Sequence, residues 1–123
     1  MREILFRGMT KDDKFVFGHY VEDIDSENNS EHIIISDDGC HTIKPETVGQ
    51  YTGLKDANGK MIFEGDIFIM RDPKIKYVVE FMDCGLKGRQ MSNKSTAGIE
   101  YWVDVIEVIG NIHEESKGWR LIR

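Results

Sequence analysis

Apolar and polar residues alternate with a period of two along most of the chain, carried by β-branched and aromatic side chains, which predicts strands rather than helices. The opening Arg2-Glu3-Ile4-Leu5-Phe6-Arg7-Gly8 and the run Lys14-Phe15-Val16-Phe17-Gly18-His19-Tyr20-Val21 flank a polar turn at residues 10–13, and together they read as an antiparallel hairpin. An acidic stretch containing Asn and Ser fills residues 22–31. The run Ile33-Ile34-Ile35 then leads into Asp38-Gly39, a dipeptide suited to the positive φ angles of a tight turn, with residues 40–44 as the return strand.

From residue 45 to 66 the texture changes to turn-rich, ordered loop chemistry punctuated by Gly49, Gly53, Gly59 and Gly65. Asn58-Gly59 marks a tight turn between Gly53-Leu54-Lys55 and Lys60-Met61-Ile62-Phe63. A strand over 66–71 follows Glu64-Gly65-Asp66, where Gly permits a bend and the Asp carboxylate can accept neighbouring amides. Beyond Pro73, the residues Ile75, Tyr77, Val79 and Phe81 alternate with Lys76 and Glu80, the pattern of a half-buried strand. Residues 85–98 are polar and read as a mobile loop. Residues 101–112 give one or two final strands, with the alternation slipping at Asp104-Val105. No stretch of ten residues has helical periodicity, so at most a helical turn is expected, at Pro45-Glu46-Thr47 or in the tail over 113–123.

This pattern predicts a mainly β chain of one domain over 1–123: an N-terminal β-hairpin region over 1–44, a turn-rich central segment over 45–66, and a small SH3-like barrel over 62–112. At 123 residues the chain can bury about two-thirds of its unfolded surface and needs neither disulfides nor a structural metal to fold. Two cysteines, Cys40 and Cys84, fit free thiols in a reducing compartment. No apolar run spans a membrane and no signal-peptide pattern opens the chain, so a cytoplasmic location and no membrane partner are expected.

Charge narrows the functional classes. Sixteen Lys and Arg against 22 Asp and Glu give a net charge of −6, which opposes whole-surface binding to nucleic acid. The basic island is the 85–98 loop, where Lys87, Arg89 and Lys94 are candidate phosphate contacts with Tyr101 or Trp102 nearby for base stacking. Three cations give little affinity at cellular salt, so an ordinary solvated loop is the better account of them. The His and Cys residues lack the spacing of a zinc site, and the alternation Asp23, Asp25, Glu27, Asn29, Glu31 lacks the glycine and the final glutamate of a calcium loop. No metal and no cofactor are expected. Cys84 before Gly85 is the best lone nucleophile, but no catalytic constellation can be assembled around it from sequence.

The block from Pro45 through Val48-Gly49-Gln50-Tyr51-Thr52-Gly53-Leu54-Lys55-Asp56-Ala57-Asn58-Gly59 to Glu64-Gly65-Asp66 resembles the signature of the YopX family of phage and prophage proteins. The resemblance extends to the opening seven residues quoted above, to Phe15-Val16-Phe17-Gly18 and to Glu107-Val108-Ile109-Gly110-Asn111-Ile112-His113. Phe15 and Phe17 stand where that family often has Trp and Tyr, and residues 22–44 and 83–98 match nothing in it. The resemblance implies a β-rich fold, a phage or prophage origin and self-association, with no known catalytic activity. Two accounts of the central block stand side by side. Turn chemistry alone explains its Gly, Asn and Asp residues. Alternatively Gln50, Tyr51, Thr52, Lys55, Asp56 and Asn58 form a recognition surface held by those turns. The leading expectation is a phage accessory protein without catalytic activity that assembles with itself or binds a host or phage protein. The alternative is a nucleic-acid-associated small barrel using the 85–98 loop.

Overall fold

A computed structural model describes residues 5–82, 85–92 and 95–113. The chain divides into two compact units, Met1–Tyr51 and Thr52–Arg123. It is mainly β, built on two antiparallel sheets that are not closed, with two short 3-10 turns at Pro45–Thr47 and Glu100–Trp102. The sheets are open where the sequence suggested a barrel.

In the first unit, β1 (Phe6–Met9), β2 (Phe15–Ile24), β3 (Ser30–Ser36), β4 (Gly39–Thr42) and the start of β5 (Gly49–Lys55) lie in the order β4-β3-β2-β1-β5. The predicted hairpin forms in register, Arg7 opposite Phe17, and the Thr10 N–H donates to the Lys14 carbonyl across the turn. The acidic stretch is not a loop throughout: β2 continues to Ile24 and β3 begins at Ser30, leaving only five residues between them. Asp25 makes that short connection, accepting the Glu27 and Asn29 amides at 2.9 Å each. The next turn sits one residue earlier than expected, with Ser36 opposite Gly39, and only Gly39 of the predicted pair adopts positive φ. Ile34, fully buried, and Ile43 occupy the covered face, where Ile43 packs so closely over Gly8 that a Cβ there would come within 2.5 Å of it. Thr47 ties the 3-10 turn down, its hydroxyl accepting the Met9 amide at 2.8 Å and donating to the Lys44 carbonyl at 2.6 Å.

In the second unit, the remainder of β5 pairs with β6 (Met61–Phe63). The sheet of this unit runs β10-β9-β8-β7-β11, from β7 (Asp66–Ile69), β8 (Tyr77–Met82), β9 (Gly85–Gln90), β10 (Thr96–Gly98) and β11 (Glu107–Asn111). The central block is therefore mostly strand, with its turns at Pro45–Thr47, at residues 56–60 and at 64–65. Alternation along β8 fails as a guide to burial. Tyr77, Val78 and Val79 are all buried, because Phe68, Ile99 and Ile106 pack with Tyr77 and Val79 while Ile67 and Met91 cover Val78. Ile75 and Phe81, placed on the buried face by the sequence, are exposed.

The expected loop over 85–98 is the β9–β10 hairpin, with Gly88 opposite Val79 on one side and Ala97 on the other. Gly88 is needed there, since a Cβ would sit 2.5 Å from the Phe68 ring. Residues 100–105 are a 3-10 turn and a bend rather than a strand, and the slip in alternation at Asp104-Val105 marks that bend. The late strand carries its irregularity between Val108 and Gly110. Among the described residues, no helix is long and apolar enough to cross a membrane.

Candidate functional site

The central block serves first to close its own turns. Asp56, only 6% exposed, accepts the Asn58 and Lys60 amides through Oδ1 at 2.9 Å each, and the Val108 amide through Oδ2 at 2.9 Å. The Thr52 hydroxyl is fully buried, donating to the Ile62 carbonyl at 2.8 Å and accepting the Leu54 amide. Asp66 accepts the Phe63 amide at 2.8 Å across Gly65 (φ 91°), as the Glu64-Gly65-Asp66 reading predicts. Of the six candidate recognition residues, Tyr51, Thr52 and Asp56 are buried, Gln50 is half-buried, and only Lys55 and Asn58 face solvent. Backbone groups take up the polar atoms of Thr52 and Asp56 that recognition would use.

Of the basic island, Arg89 is likewise engaged. Arg89 donates two hydrogen bonds to Glu80, Nε to Oε1 and Nη2 to Oε2, both at 2.8 Å. That bidentate pair raises the guanidinium pKa further above its ordinary value. Lys87 stands directly opposite Glu80 in the β8–β9 register. The acidic residue missing from the loop sequence is thus supplied by the neighbouring strand. Lys94, and the candidate nucleophile Cys84, lie outside the described residues.

What the second unit does offer is an apolar cleft of about 240 Å³, lined by Met70, Ile75, Tyr77, Trp102 and Val105 with Arg71 and Asp72 at its rim. Two local devices shape it. Asp72 folds the loop after β7 back on itself, its Oδ1 accepting the Lys74 amide at 2.9 Å and its carbonyl the Ile75 amide at 3.1 Å, which holds Ile75 36% exposed at the cleft. On the other wall, Ile99 and Ile106 are buried anchors on either side of the 100–105 bend. The Trp102 carbonyl accepts the Val105 and Ile106 amides, fixing the backbone so that the indole stays 45% exposed. Tyr101 beside it is 89% exposed. Trp102 was visible to the sequence only as an aromatic near a loop, since the tryptophan's exposure depends on the bend.

The first unit presents a second apolar surface. On the face of β2 and β3 opposite Ile34, Phe17, Val21 and Ile35 are exposed, and Val21 pairs across the strands with half-buried Ile33. His19 stands between them, opposite Ile35. A cleft of about 400 Å³ opens beside Phe17 and Ile35, lined also by Leu5, Gly18, His19, Ser36 and Asp37. At the far end of the same hairpin Ile24 is 59% exposed among Glu22, Asp23 and Glu27. Asp25, in the turn, is held below the ordinary carboxylate pKa by the Asn29 and Glu27 amides. Near the β3–β4 turn, Asp38 also titrates below its ordinary value, through the Ser36 hydroxyl and then His41, whose Nε2 lies 2.8 Å away. Cys40 on β4 is an exposed free thiol. Among the described residues, no group of three or more His, Cys, Asp or Glu is arranged to hold a metal ion.

These surfaces belong to a fold seen elsewhere. The crystal structure of protein EF1440 from Enterococcus faecalis is similar over 97% of this chain and 99% of that one, with a TM-score of 0.62 and 23% sequence identity. No curated protein matches the sequence. The profile of the YopX protein family matches residues 5–118, nearly the whole chain, as the motif blocks imply, and the protein belongs to the YopX family.

Proposed function

We propose that this protein is a phage or prophage accessory protein that acts by binding protein, through self-assembly or attachment to a host or phage partner in the bacterial cytoplasm, and catalyses no reaction of its own. The observation that carries the reading is the exposed apolar face of the first unit. Phe17, Val21 and Ile35 are 46%, 40% and 41% exposed on adjacent strands. Single exposed apolar residues are ordinary, but contiguous ones on a sheet face mark interaction sites. Membership of the family supports the phage origin, and the chemistry of the described residues supports binding over catalysis. The conspicuous carboxylates, Asp25, Asp56 and Asp66, are occupied with backbone amides of their own turns.

The nucleic-acid reading draws less support, because Arg89 is bound to Glu80 and is not presented to a phosphate. A small SH3-like barrel is likewise less well supported than an open sheet, whose edges are β10 and β11.

Recovery of the tagged protein from host lysate, with and without nuclease, tests the reading when paired with the variant Phe17→Ser/Ile35→Ser and with sedimentation of both purified chains. A partner or an oligomer that survives nuclease and is lost in the variant is the expected result. A strictly monomeric chain that recovers no protein overturns it, and loss of every partner on nuclease treatment would favour nucleic acid.

A further inference from the structure

In the first unit, three neighbouring strands set an apolar patch between two acidic ends. Across β2, β3 and β4, His19, Ile35 and Cys40 form one row, and Val21, Ile33 and Thr42 form the next. The row beyond them on the same face is Asp23 directly opposite Glu31, both exposed. Like charges so placed are unfavourable in a sheet, and neither carboxylate has an ion pair among the described residues. At the other end of the patch, exposed Asp37 lines the cleft beside Phe17, also without an ion pair among the described residues.

The acidity is local. Between Lys14 and Lys44 the chain has seven Asp and Glu and no Lys or Arg, which leaves 15 acids against 16 Lys and Arg elsewhere, so the net charge of −6 belongs to this stretch. Of the neighbouring cations, Lys44 is engaged by Asp13, and Arg7, opposite Phe17, is buried with its guanidinium over the Phe15 ring. Lys14 stands in the β1–β2 connection, outside these rows.

From these features, and resting on the reading of the protein as one that acts by binding, we propose that the occupant of this face is a cationic amphipathic helix of another protein. Its apolar stripe lies on Phe17, Val21 and Ile35, and its Lys or Arg residues meet Asp37 at one end and Asp23 and Glu31 at the other. β2 and β3 are interior strands of their sheet, flanked by β1 and β4, so no added strand can pair with them and the occupant lies on the face. From Glu31 to Asp37 the face runs about 20 Å, at about 3.3 Å per strand residue, which is the length of a helix of about 13 residues. The apolar side chains supply affinity, and the charges at the two ends select the partner. Two copies of this chain meeting through this face would set acid against acid.

Fluorescence anisotropy of the full chain with two labelled helical peptides of about 14 residues tests the class of occupant. Both carry Leu at helical spacing; one has Lys at each end and the other Glu. The Lys peptide should bind, more weakly as salt rises, and the Glu peptide at least about tenfold less tightly. Phe17→Ser/Ile35→Ser should lose the Lys peptide, whereas Glu100→Lys/Asp104→Lys, which reverses two exposed acids of the second unit, should bind it as the unaltered chain does. Asp23→Lys/Glu31→Lys/Asp37→Lys should invert the preference, and an inverted preference is not the behaviour of a chain that has merely unfolded.

Equal affinity for the two peptides, no binding of the Lys peptide, or an unchanged preference in the triple variant overturns the cationic helix. So does Lys-peptide binding that survives Phe17→Ser/Ile35→Ser or is lost in Glu100→Lys/Asp104→Lys. If a nuclease-resistant partner or an oligomer is nevertheless lost in Phe17→Ser/Ile35→Ser, the binding reading stands without it. If neither is found, both fall.

Discussion

Asp56 reaches 52 residues along the chain to accept the Val108 amide at 2.9 Å, while its other carboxylate oxygen closes the turn that begins at Asp56 itself. A single buried side chain thus joins the Asn58-Gly59 turn to the last described strand, alongside the Ala57 amide on the Ile106 carbonyl. Replacement by Ala would leave three amides without this acceptor, the Val108 one buried. Asp56→Ala is expected to destabilise the fold by about 3 kcal/mol, since orphaning buried donors costs roughly 1–3 kcal/mol each and more when the lost acceptor is charged. Asn58→Ala, at an exposed position of the same turn, should change stability by less than about 0.5 kcal/mol. Urea denaturation of the two variants checks the contrast, and equal effects would contradict this role for Asp56.

Gly88 gives a second prediction. The Phe68 ring, stacked on Tyr77 with centroids 5.1 Å apart, fills the space a side chain at residue 88 would need. Gly88→Ala should cost about 1–3 kcal/mol, the usual penalty of overpacking a core that cannot yield. Thermal denaturation reads the loss. A neutral effect would mean that Phe68 can move aside.

The Arg89–Glu80 pair separates stability from nucleic-acid binding. Both side chains are part-buried, so the pair should contribute on the order of 1 kcal/mol, above an exposed ion pair and below a fully buried one. Arg89→Ala should therefore lower stability slightly and leave any residual affinity for DNA or RNA, and its salt dependence, unchanged. A clear fall in the salt slope on that substitution would place Arg89 at a phosphate.

Acid should reach the β2–β3 tip late. Two amides stabilise the ionised Asp25 carboxylate in the folded chain and lower its pKa below the unfolded value. That contribution is whole above the ordinary carboxylate range and is lost as pH falls through the lowered folded value. The Glu27 and Asn29 amide resonances should accordingly keep their positions through the ordinary aspartate range, near about 3.9, and move only at lower pH. Movement at or above that range would contradict the hydrogen bonds.

Local turn chemistry was legible in the sequence. The hairpin turn at 10–13, the turn at Asn58-Gly59, the amide acceptor at Asp66 and the helical turn at Pro45–Thr47 each depend on a few adjacent residues. What was not legible depends on neighbours distant in sequence. Gly-Leu-Lys-Gly-Arg-Gln over 85–90 has no apolar alternation, because its small residue admits the Phe68 ring and its cation faces Glu80 on β8. Burial on both faces masks the pattern of β8, and the backbone partners that occupy Asp56 and Thr52 lie too far along the chain to be read from the residues beside them. The cleft escaped because its walls come from residues 70–77 and 102–105, whose side chains converge only through the Asp72 turn and the bend after Trp102.

Action by binding requires that a protein surface cover the apolar face bearing Phe17, Val21 and Ile35. Hydrogen exchange on residues 15–21 and 30–36, comparing dilute purified chain with concentrated chain and with chain recovered from host lysate, tests it most directly. Protection of those amides on association, absent in Phe17→Ser/Ile35→Ser, is the predicted result. Association that protects other strands and leaves these unchanged, or identical exchange in all three samples, would contradict it.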